Sequence, residues 1–196
     1  MIICLDTETT GLYPGEICQL SYVCINKGVV TAKNFFFAVD HVEYGAYLVH
    51  GFSVEKLLEL SKGKTFAQQI SEIQNDFDKA SFLVAHNVNF DFSFLSKEFE
   101  RCGRIFYCKD SFCTMKKSLP ICKIPRANHR GYKYPKLSEL CAFLGITDTQ
   151  IQLATRTLFG KEVGYHDARF DATAVYLAVE KGINQLPEYA LLKEHL

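Results

Sequence analysis

The first residues of the chain form an apolar run that ends in acidic side chains. Residues 1–5 (MIICL) are apolar, and Asp6 and Glu8 follow just before a turn marked by Gly11 and Pro14. A short apolar run bounded by turn residues is typical of a strand buried on both faces. In extended chain, residues i and i+2 project to the same face. The pattern therefore predicts two carboxylates side by side at the end of a core strand.

Strand and helix patterns alternate along the rest of the chain. Further strands are predicted at residues 17–25, 33–39, 82–85 and 104–108, and helices at 54–60, 65–78, 90–102, 112–119, 136–144 and 167–181, with a basic, proline-containing loop at 120–135. Three antiparallel strands followed by strands that alternate with helices are typical of a mixed sheet. The sequence predicts an α/β fold with a five-stranded mixed β-sheet flanked by helices.

The composition favours one folded domain. Of 196 residues, 48% are apolar and 22% are charged, whereas disordered chains are poorer in apolar residues. We expect one domain at residues 1–183 and a C-terminal tail at 184–196, without room for a tethering tail or a second domain. No basic leader precedes the first acid and no apolar run reaches about 18 residues, so we expect a cytoplasmic protein with no membrane segment.

The cysteines raise the question of disulfides or a zinc site: Cys4, Cys18, Cys24, Cys102, Cys108, Cys113, Cys122 and Cys141. Disulfide frameworks are typical of short secreted chains, which this one does not resemble. Cys102, Cys108, Cys113 and Cys122 form a conceivable zinc set, but they contain no CxxC pair of the kind usual in such sites. Free, mostly buried thiols are the better interpretation.

Positive charge is concentrated in the middle of the chain, although the formal net charge is zero. Residues 97–136 carry 11 Lys or Arg and 3 Asp or Glu, whereas residues 1–96 carry 6 and 11, and residues 137–196 carry 5 and 8. Aromatic side chains such as Tyr132 and Tyr134 are interleaved with the basic ones. Such a segment favours contact with a nucleic-acid backbone, and a solvated basic surface is the alternative.

Two more acids occupy positions where apolar residues are expected. Asp91 follows AHNVNF, where a strand leads into a helix, and Asp171 lies within the apolar helix pattern FDATAVYLAV. Two carboxylates at about 4 Å repel by roughly 1 kcal/mol in water and about 4 kcal/mol at an effective dielectric constant near 20. If the four acids converge, two divalent cations would neutralise them, and all-oxygen ligands favour Mg²⁺ or Mn²⁺ over zinc. Paired ions of this kind act on phosphodiesters.

His166 is the candidate proton acceptor beside these acids. It precedes Asp171 by five residues, and in an unbroken helix the two side chains would diverge by about 140°. We therefore expect His166 just before the helix or in its first turn. Imidazole exchanges protons near neutral pH and suits the role of a general base. A structural role is the usual one for a lone histidine, and it is the interpretation for His41, His86, His129 and His195.

Three segments that carry these residues resemble the DEDDh (DnaQ-like) family of 3′–5′ exonucleases. They are DTETTG at 6–11, LVAHNVNFDFSFL at 83–95 and HDARFDATA at 166–174, in the family's order and spanning nearly the whole chain. Within the family, the chain is similar to the proofreading exonuclease subunit or domain of bacterial replicative DNA polymerases. One departure is Ala85, at a position where the family often has glycine.

The resemblance implies a ribonuclease H-like fold and two bound Mg²⁺ ions, which Mn²⁺ can replace. It implies that the metal ligands and the general base are Asp6, Glu8, Asp91, Asp171 and His166. It also implies contacts with the 3′-terminal nucleotide from Thr9, Gly11, Leu12, His50, Asn87 and Phe90. Leu12 would be an apolar wedge against the base. For Leu12 and Phe90, burial in the core is the alternative.

The expected function is metal-dependent 3′–5′ hydrolysis at single-stranded 3′ ends, with DNA favoured, releasing nucleoside 5′-monophosphates. One alternative is an exoribonuclease, because a preference for the 2′-hydroxyl cannot be read from the sequence. The other is a non-catalytic nucleic-acid-binding module accessory to a polymerase. A DNA polymerase is a conceivable partner, and no membrane contact is expected.

Overall fold

The strand patterns assemble into one mixed sheet in the computed structural model, which describes residues 1–128 and 130–195. The strands are β1 (Ile2–Thr9), β2 (Ile17–Asn26), β3 (Val29–Phe36), β4 (Phe82–Ala85) and β5 (Asp110–Cys113). Their order across the sheet is β3-β2-β1-β4-β5. β1 is antiparallel to β2 and parallel to β4, and β5 is parallel to β4. The predicted α/β fold with a five-stranded mixed sheet is confirmed. His129 lies outside the described residues.

Helices connect and cover the strands. They are α1 (Tyr44–His50), α2 (Val54–Ser61), α3 (Phe66–Phe77), α4 (Val88–Arg101), α5 (Thr114–Cys122), α6 (Leu137–Phe143), α7 (Asp148–Phe159) and α8 (Ala168–Gln185), followed by a 3₁₀ segment at Pro187–His195. Ser53 starts α2 as predicted, because its side chain accepts a hydrogen bond from the backbone N–H of Lys56.

The alternation of side chains along β1 divides the core into two layers. Ile3 and Leu5 pack with residues of α3 and α4 on one face of the sheet, whereas Ile2 and Cys4 pack with residues of α8 on the other. All four are fully buried. Because successive strand residues alternate between faces, Asp6 and Glu8 continue the row of Ile2 and Cys4 toward α8.

The strand predicted at residues 104–108 is wrong. The structure has irregular chain there, and β5 begins at Asp110, two residues after the end of the predicted strand. The segment is apolar at four of its five positions, but only two of those side chains pack against the core. One of them is the half-buried Phe106, whose ring lies against Phe77, Phe92 and Phe99 at centroid distances of 5.1–6.2 Å. An irregular segment that packs alternate apolar side chains against the core therefore has the same local pattern as a strand.

Two helices were absent from the sequence prediction. α1 buries none of its residues, so it lacks the apolar periodicity that marks a helix. α7 starts at a Thr147 cap whose hydroxyl accepts from the backbone N–H of Gln150, and the Gln150 side chain accepts from the Thr147 backbone N–H in return. This capping box is a signal that the sequence does contain.

Residues 184–195, most of the expected C-terminal tail, extend α8 to Gln185 and then form the 3₁₀ segment. Tyr189 and Leu192 are fully buried in the α8 layer of the core. The Tyr189 hydroxyl lies 3.0 Å from Ser118 Oγ, and its ring lies 4.8 Å from that of Phe112. The segment therefore completes the core on the α8 side of the sheet.

The cysteines are free thiols, as the sequence analysis favours. Among the described residues, no cysteine belongs to a cluster of metal-ligating side chains. Within the same residues, the helices are all too short or too polar to cross a membrane.

Candidate active site

Three of the four predicted acids meet at the end of β1. Asp6 and Glu8 project from β1 toward α8, and Asp171 lies in the first turn of α8. One carboxylate oxygen from each of the three lies within 4.8 Å of the others. Helix α8 therefore adds a third carboxylate to the pair that lies side by side on β1.

Asp91 faces the same space from the α4 side of the sheet. It lies in the first turn of α4, is only 3% exposed, and lines a cavity of about 220 Å³ together with Asp6, Glu8 and Asp171. Its Oδ1 accepts a hydrogen bond of 2.9 Å from the Thr7 hydroxyl. Thr7 thus positions Asp91, a role that the sequence pattern did not reveal.

Burial raises the pKa of all four acids, and neighbouring carboxylates add to the shift at Asp6 and Glu8. Burial is the largest cause of the raised pKa of Asp6, and the charges of Asp171, Asp91 and Glu8 add to it. Burial, then the charge of Asp171, raises the pKa of Glu8, and burial is the main cause of the raised pKa at Asp91 and Asp171. A cation placed among the carboxylates would favour their ionised forms.

His166 lies two residues before α8, as the sequence predicts. Its side chain is exposed and lines the same 220 Å³ cavity as the acids. Its backbone is left-handed, with φ of 60°, and its N–H donates to Asp171 Oδ2 at 3.0 Å. This turn places the imidazole over the acids and orients the Asp171 carboxylate.

A buried polar network that the sequence analysis missed holds this turn. Asp167 accepts a bidentate pair of hydrogen bonds from Arg169, from Nε at 2.8 Å and from Nη2 at 2.6 Å. Gln19, on β2 opposite Glu8, donates to Asp167 at 3.0 Å and accepts from the Ala168 N–H at 3.1 Å. Because all these groups are buried, the start of α8 is fixed relative to the strand that carries Glu8.

Replacing Arg169 by alanine is expected to reduce stability by about 3–5 kcal/mol, because it leaves the Asp167 charge buried without its partner. For a chain of this size, that corresponds to a fall of roughly 6–20 °C in Tm. Thermal unfolding followed by circular dichroism measures the change. Replacing the exposed Arg156 is the control, and an Arg169→Ala variant as stable as that control would show that the network carries no net stability.

A second cavity, of about 390 Å³, adjoins the acids on the α1 side. It is lined by residues from the end of β1, the following turn, α1 and α4: Thr7, Glu8, Thr9, Gly11, Leu12, Glu43, Gly45, Ala46, Val49, His50 and Phe90. Leu12 is 80% exposed, so it is not a core residue. Phe90 is half-buried and packs against Phe94 at 4.9 Å.

The turn at Gly11 lies against the side chain of Glu43. A Cβ at Gly11 would overlap the Glu43 carboxylate. The Gly11 carbonyl accepts a hydrogen bond of 2.8 Å from the Thr9 hydroxyl, and the Glu43 N–H donates to the Thr10 carbonyl at 2.8 Å. These contacts attach the beginning of α1 to the end of β1 and shape this cavity.

Two other predicted contact residues, His50 and Asn87, line the two cavities. Both ring nitrogens of His50 are occupied: Nε2 lies 3.2 Å from the Thr9 carbonyl, and Nδ1 accepts from the Phe52 N–H at 3.0 Å. Asn87 precedes α4 with φ of 76°, a left-handed conformation that asparagine tolerates. It lines the cavity of the acids rather than the one that holds Leu12.

A family model for exonucleases matches residues 3–179 of the chain. The chain belongs to the exonuclease family. The match includes every acid of the site and His166, and the DnaQ-like resemblance seen in the sequence is confirmed.

Similar proteins within the exonuclease family include replication proteins. The chain is 32% identical over 190 residues to DNA polymerase III subunit epsilon of Escherichia coli strain K12, covering 92% of this chain and 71% of that protein. It is 29% identical over 157 residues to the protein of the same name from Rickettsia felis, covering 77% of this chain and 65% of that protein. The chain thus spans about two thirds of the length of these relatives.

Solved structures share the fold. Escherichia coli Exonuclease I in complex with a dT13 oligonucleotide superposes with a TM-score of 0.69 at 16% identity, covering 99% of this chain and 43% of that one. The metal-free form of the same enzyme's complex with single-stranded DNA gives a TM-score of 0.71 at 16% identity. The expected ribonuclease H-like architecture is confirmed over the described chain.

Proposed function

We propose that the chain is a DEDDh-type 3′–5′ exonuclease that removes nucleoside 5′-monophosphates from single-stranded DNA. The observation that carries this proposal is the cavity in which Asp6, Glu8, Asp91, Asp171 and His166 converge. Four acids gathered in a largely buried space cost stability unless a ligand compensates them. An exposed imidazole beside them is placed to accept a proton from a water molecule that enters the cavity.

The donor set fits hard divalent cations. Oxygens of Asp6, Glu8 and Asp171 lie close enough together to share one ion, and all-carboxylate ligation suits Mg²⁺ or Mn²⁺. Asp91, on the opposite side of the cavity, would share a second ion with Asp6. When bound, such ions polarise the phosphate and stabilise the charge that develops on the attacking and leaving oxygens.

His166 is proposed as the general base. The reaction adds the oxygen of water to the phosphorus and breaks its bond to the 3′-oxygen of the preceding nucleotide. The His166 imidazole takes the proton from the water, and the cleaved nucleotide leaves with a 5′-phosphate. The departing 3′-oxygen takes a proton from solvent, so the shortened strand ends in a 3′-hydroxyl. The backbone N–H of His166 donates to the Asp171 carboxylate. The imidazole of His166 and the proposed metal ligand Asp171 are therefore held in one turn.

The 390 Å³ cavity is proposed to hold the 3′-terminal nucleotide. The exposed Leu12 side chain and Phe90 offer apolar surface to a base, and Thr9 and Gly11 shape the turn beneath it. His50 fixes α1 to the end of β1 through the Thr9 carbonyl. Since Glu8 and Phe90 also line the cavity of the acids, a nucleotide seated here has its 5′-phosphate directed at the carboxylates.

DNA is proposed as the substrate because the similar proteins are named as a subunit of a DNA polymerase and as an exonuclease bound to single-stranded DNA. The same similarity supports a DNA polymerase as a partner. A cytoplasmic location stays a prediction of the sequence.

The first experiment compares single-stranded DNA and RNA of one sequence, each labelled at its 5′ end and incubated with Mg²⁺ or with EDTA. We expect a ladder of products shortened from the 3′ end on DNA, with Mg²⁺ only. A faster ladder on RNA would assign the chain to RNA as substrate with the same chemistry. Binding without shortening on either strand would overturn the proposal and favour an accessory module.

A further inference from the structure

A third cavity, of about 770 Å³, opens on the other side of His166 and Asp171. Its walls are the beginning of α5, the segment before α6 and the turn before α8. Exposed or half-buried side chains of mixed character line it, among them Met115, Tyr134, Lys136 and Tyr165. We call this cavity the upstream groove.

The chain around the upstream groove is strongly basic. Residues 111–138 contain seven Lys or Arg and no Asp or Glu. One of the seven, Lys133, forms an ion pair of 2.6 Å with Glu139 of α6, and Lys136 lines the groove itself. Tyr134 lies between these two lysines and is 50% exposed. Positive charge interleaved with exposed aromatic rings is the pattern that binds single-stranded nucleic acid.

The wall that carries Tyr134 and Lys136 is attached to the end of β4. His86, the first residue after β4, lies with Nε2 3.0 Å from the Pro135 carbonyl and Nδ1 3.0 Å from the Thr114 hydroxyl. Burial lowers the pKa of His86, and both of its ring nitrogens have a partner. The groove is therefore held in a fixed position relative to the acids.

The two larger cavities of the site both adjoin the cavity of the acids, and they have no lining residue in common. The 220 Å³ cavity shares Glu8 and Phe90 with the cavity of Leu12, and it shares His86, His166 and Asp171 with the upstream groove. A strand whose scissile phosphate lies at the carboxylates must continue in both directions from that point. If its 3′-terminal nucleotide occupies the cavity of Leu12, the preceding nucleotides enter the groove.

We propose that the upstream groove binds the nucleotides on the 5′ side of the scissile phosphate, with bases stacked on Tyr134 and backbone phosphates bound by Lys136. This inference rests on the proposed function, because it takes the direction of the strand from it. It assigns to residues 134–136 a role in holding a long strand in the site, separate from the chemistry at the acids.

The test uses two substrates that differ in their upstream part. One is a single-stranded DNA 12-mer, and the other is the 4-nitrophenyl ester of thymidine 5′-monophosphate, which has one nucleoside and no upstream nucleotide. We expect Tyr134→Ala to lower the ratio of kcat/KM for the 12-mer to kcat/KM for the ester roughly 10- to 100-fold, as for the loss of base stacking. Tyr134→Phe, which keeps the ring, should restore the ratio. Lys136→Ala should lower it and also make the salt dependence of 12-mer hydrolysis less steep.

Matched controls are available just before this basic segment. Tyr107 is 61% exposed and Lys109 is exposed, and both precede β5. They therefore lie at the edge of the sheet opposite the carboxyl ends of β1 and β4. Tyr107→Ala and Lys109→Ala are expected to keep the wild-type ratio, and Tm values confirm folding in every variant.

The outcomes separate this inference from the proposed function. The proposed binding of upstream nucleotides would be wrong if Tyr134→Ala kept the wild-type ratio of the two kcat/KM values. It would also be wrong if Tyr107→Ala lowered that ratio as much as Tyr134→Ala. An equal fall on both substrates would also overturn it, since Tyr134 would then act on the site of chemistry. If the wild-type protein hydrolyses neither substrate with Mg²⁺ or Mn²⁺, the proposed function itself fails.

Discussion

Replacing Asp6 by asparagine is expected to reduce metal-dependent hydrolysis at least about 10³-fold and to raise the Tm of the metal-free protein. The loss follows because Asp6 lies between Glu8, Asp91 and Asp171 and is the acid placed to share both proposed ions. Metal-ion stabilisation of a phosphoryl transition state is worth several kcal/mol, and each 1.4 kcal/mol is about a factor of ten in rate.

The substitution is expected to raise stability, although it lowers activity, because the carboxylates repel one another when no metal ion is bound. Burial and the neighbouring carboxylates raise the pKa of Asp6, which means that its ionised form is unfavourable in the folded chain. An uncharged amide of nearly the same shape relieves part of this repulsion. A relief of about 1–3 kcal/mol corresponds to a rise of roughly 3–10 °C in Tm.

Thermal unfolding in EDTA and in Mg²⁺, paired with the rate of DNA shortening, tests both effects. Wild-type protein should gain stability when Mg²⁺ is added, because a ligand that binds only the folded state stabilises it. The Asp6→Asn variant should lose most of that gain. Asp40→Asn, at an exposed acid, is the control and should behave as wild type. A variant that stays active and still responds to Mg²⁺ would show that Asp6 is not a metal ligand.

The pairing of the acids along β1 could be predicted because it depends on local chain geometry, whereas the meeting of acids from β1, α4 and α8 was implied by the resemblance to the exonuclease family. The alternation along β1 puts Asp6 and Glu8 on one face, and the first turn of α8 is a short distance along the chain from His166. The partners of these groups could not be predicted. Gln19 and Thr7 reach the site only through the pairing of β1 with β2 and the packing of α4, which are contacts between distant parts of the sequence.

The errors in the predicted secondary structure also arise from contacts between distant parts of the sequence. Residues 104–108 have the pattern of a strand because alternate apolar side chains, Phe106 and Cys108, pack against the core, and tertiary packing selects the same side chains as burial in a sheet. α1 carries its apolar side chains outward, along the cavity of Leu12, and so shows no core-facing pattern. Sequence rules infer a helix from apolar residues that repeat on its core-facing side. They therefore miss a helix whose apolar residues face a cavity instead of the core.

Replacing His166 by asparagine is expected to slow hydrolysis by roughly 10²–10⁴-fold, the usual contribution of general base catalysis. Asparagine is preferred to alanine for this test because His166 has a left-handed backbone with φ of 60°, a conformation that asparagine adopts with little strain. The backbone N–H that binds Asp171 is then retained, so the carboxylate keeps its orientation while the proton acceptor is lost.

The distinguishing readout is the response to metal and to added imidazole. Since His166 is not among the clustered oxygen ligands, the variant should keep the Tm increase that Mg²⁺ gives to the wild type, in contrast to Asp6→Asn. Free imidazole should restore part of the rate, because it can enter the space left by an exposed side chain and accept the proton. His195→Ala serves as the control, as this ring packs on Phe82 at the amino end of β4, away from the acids. A His166→Asn variant with the wild-type rate would exclude the general-base role, and one that loses the metal response would instead place His166 in the metal site.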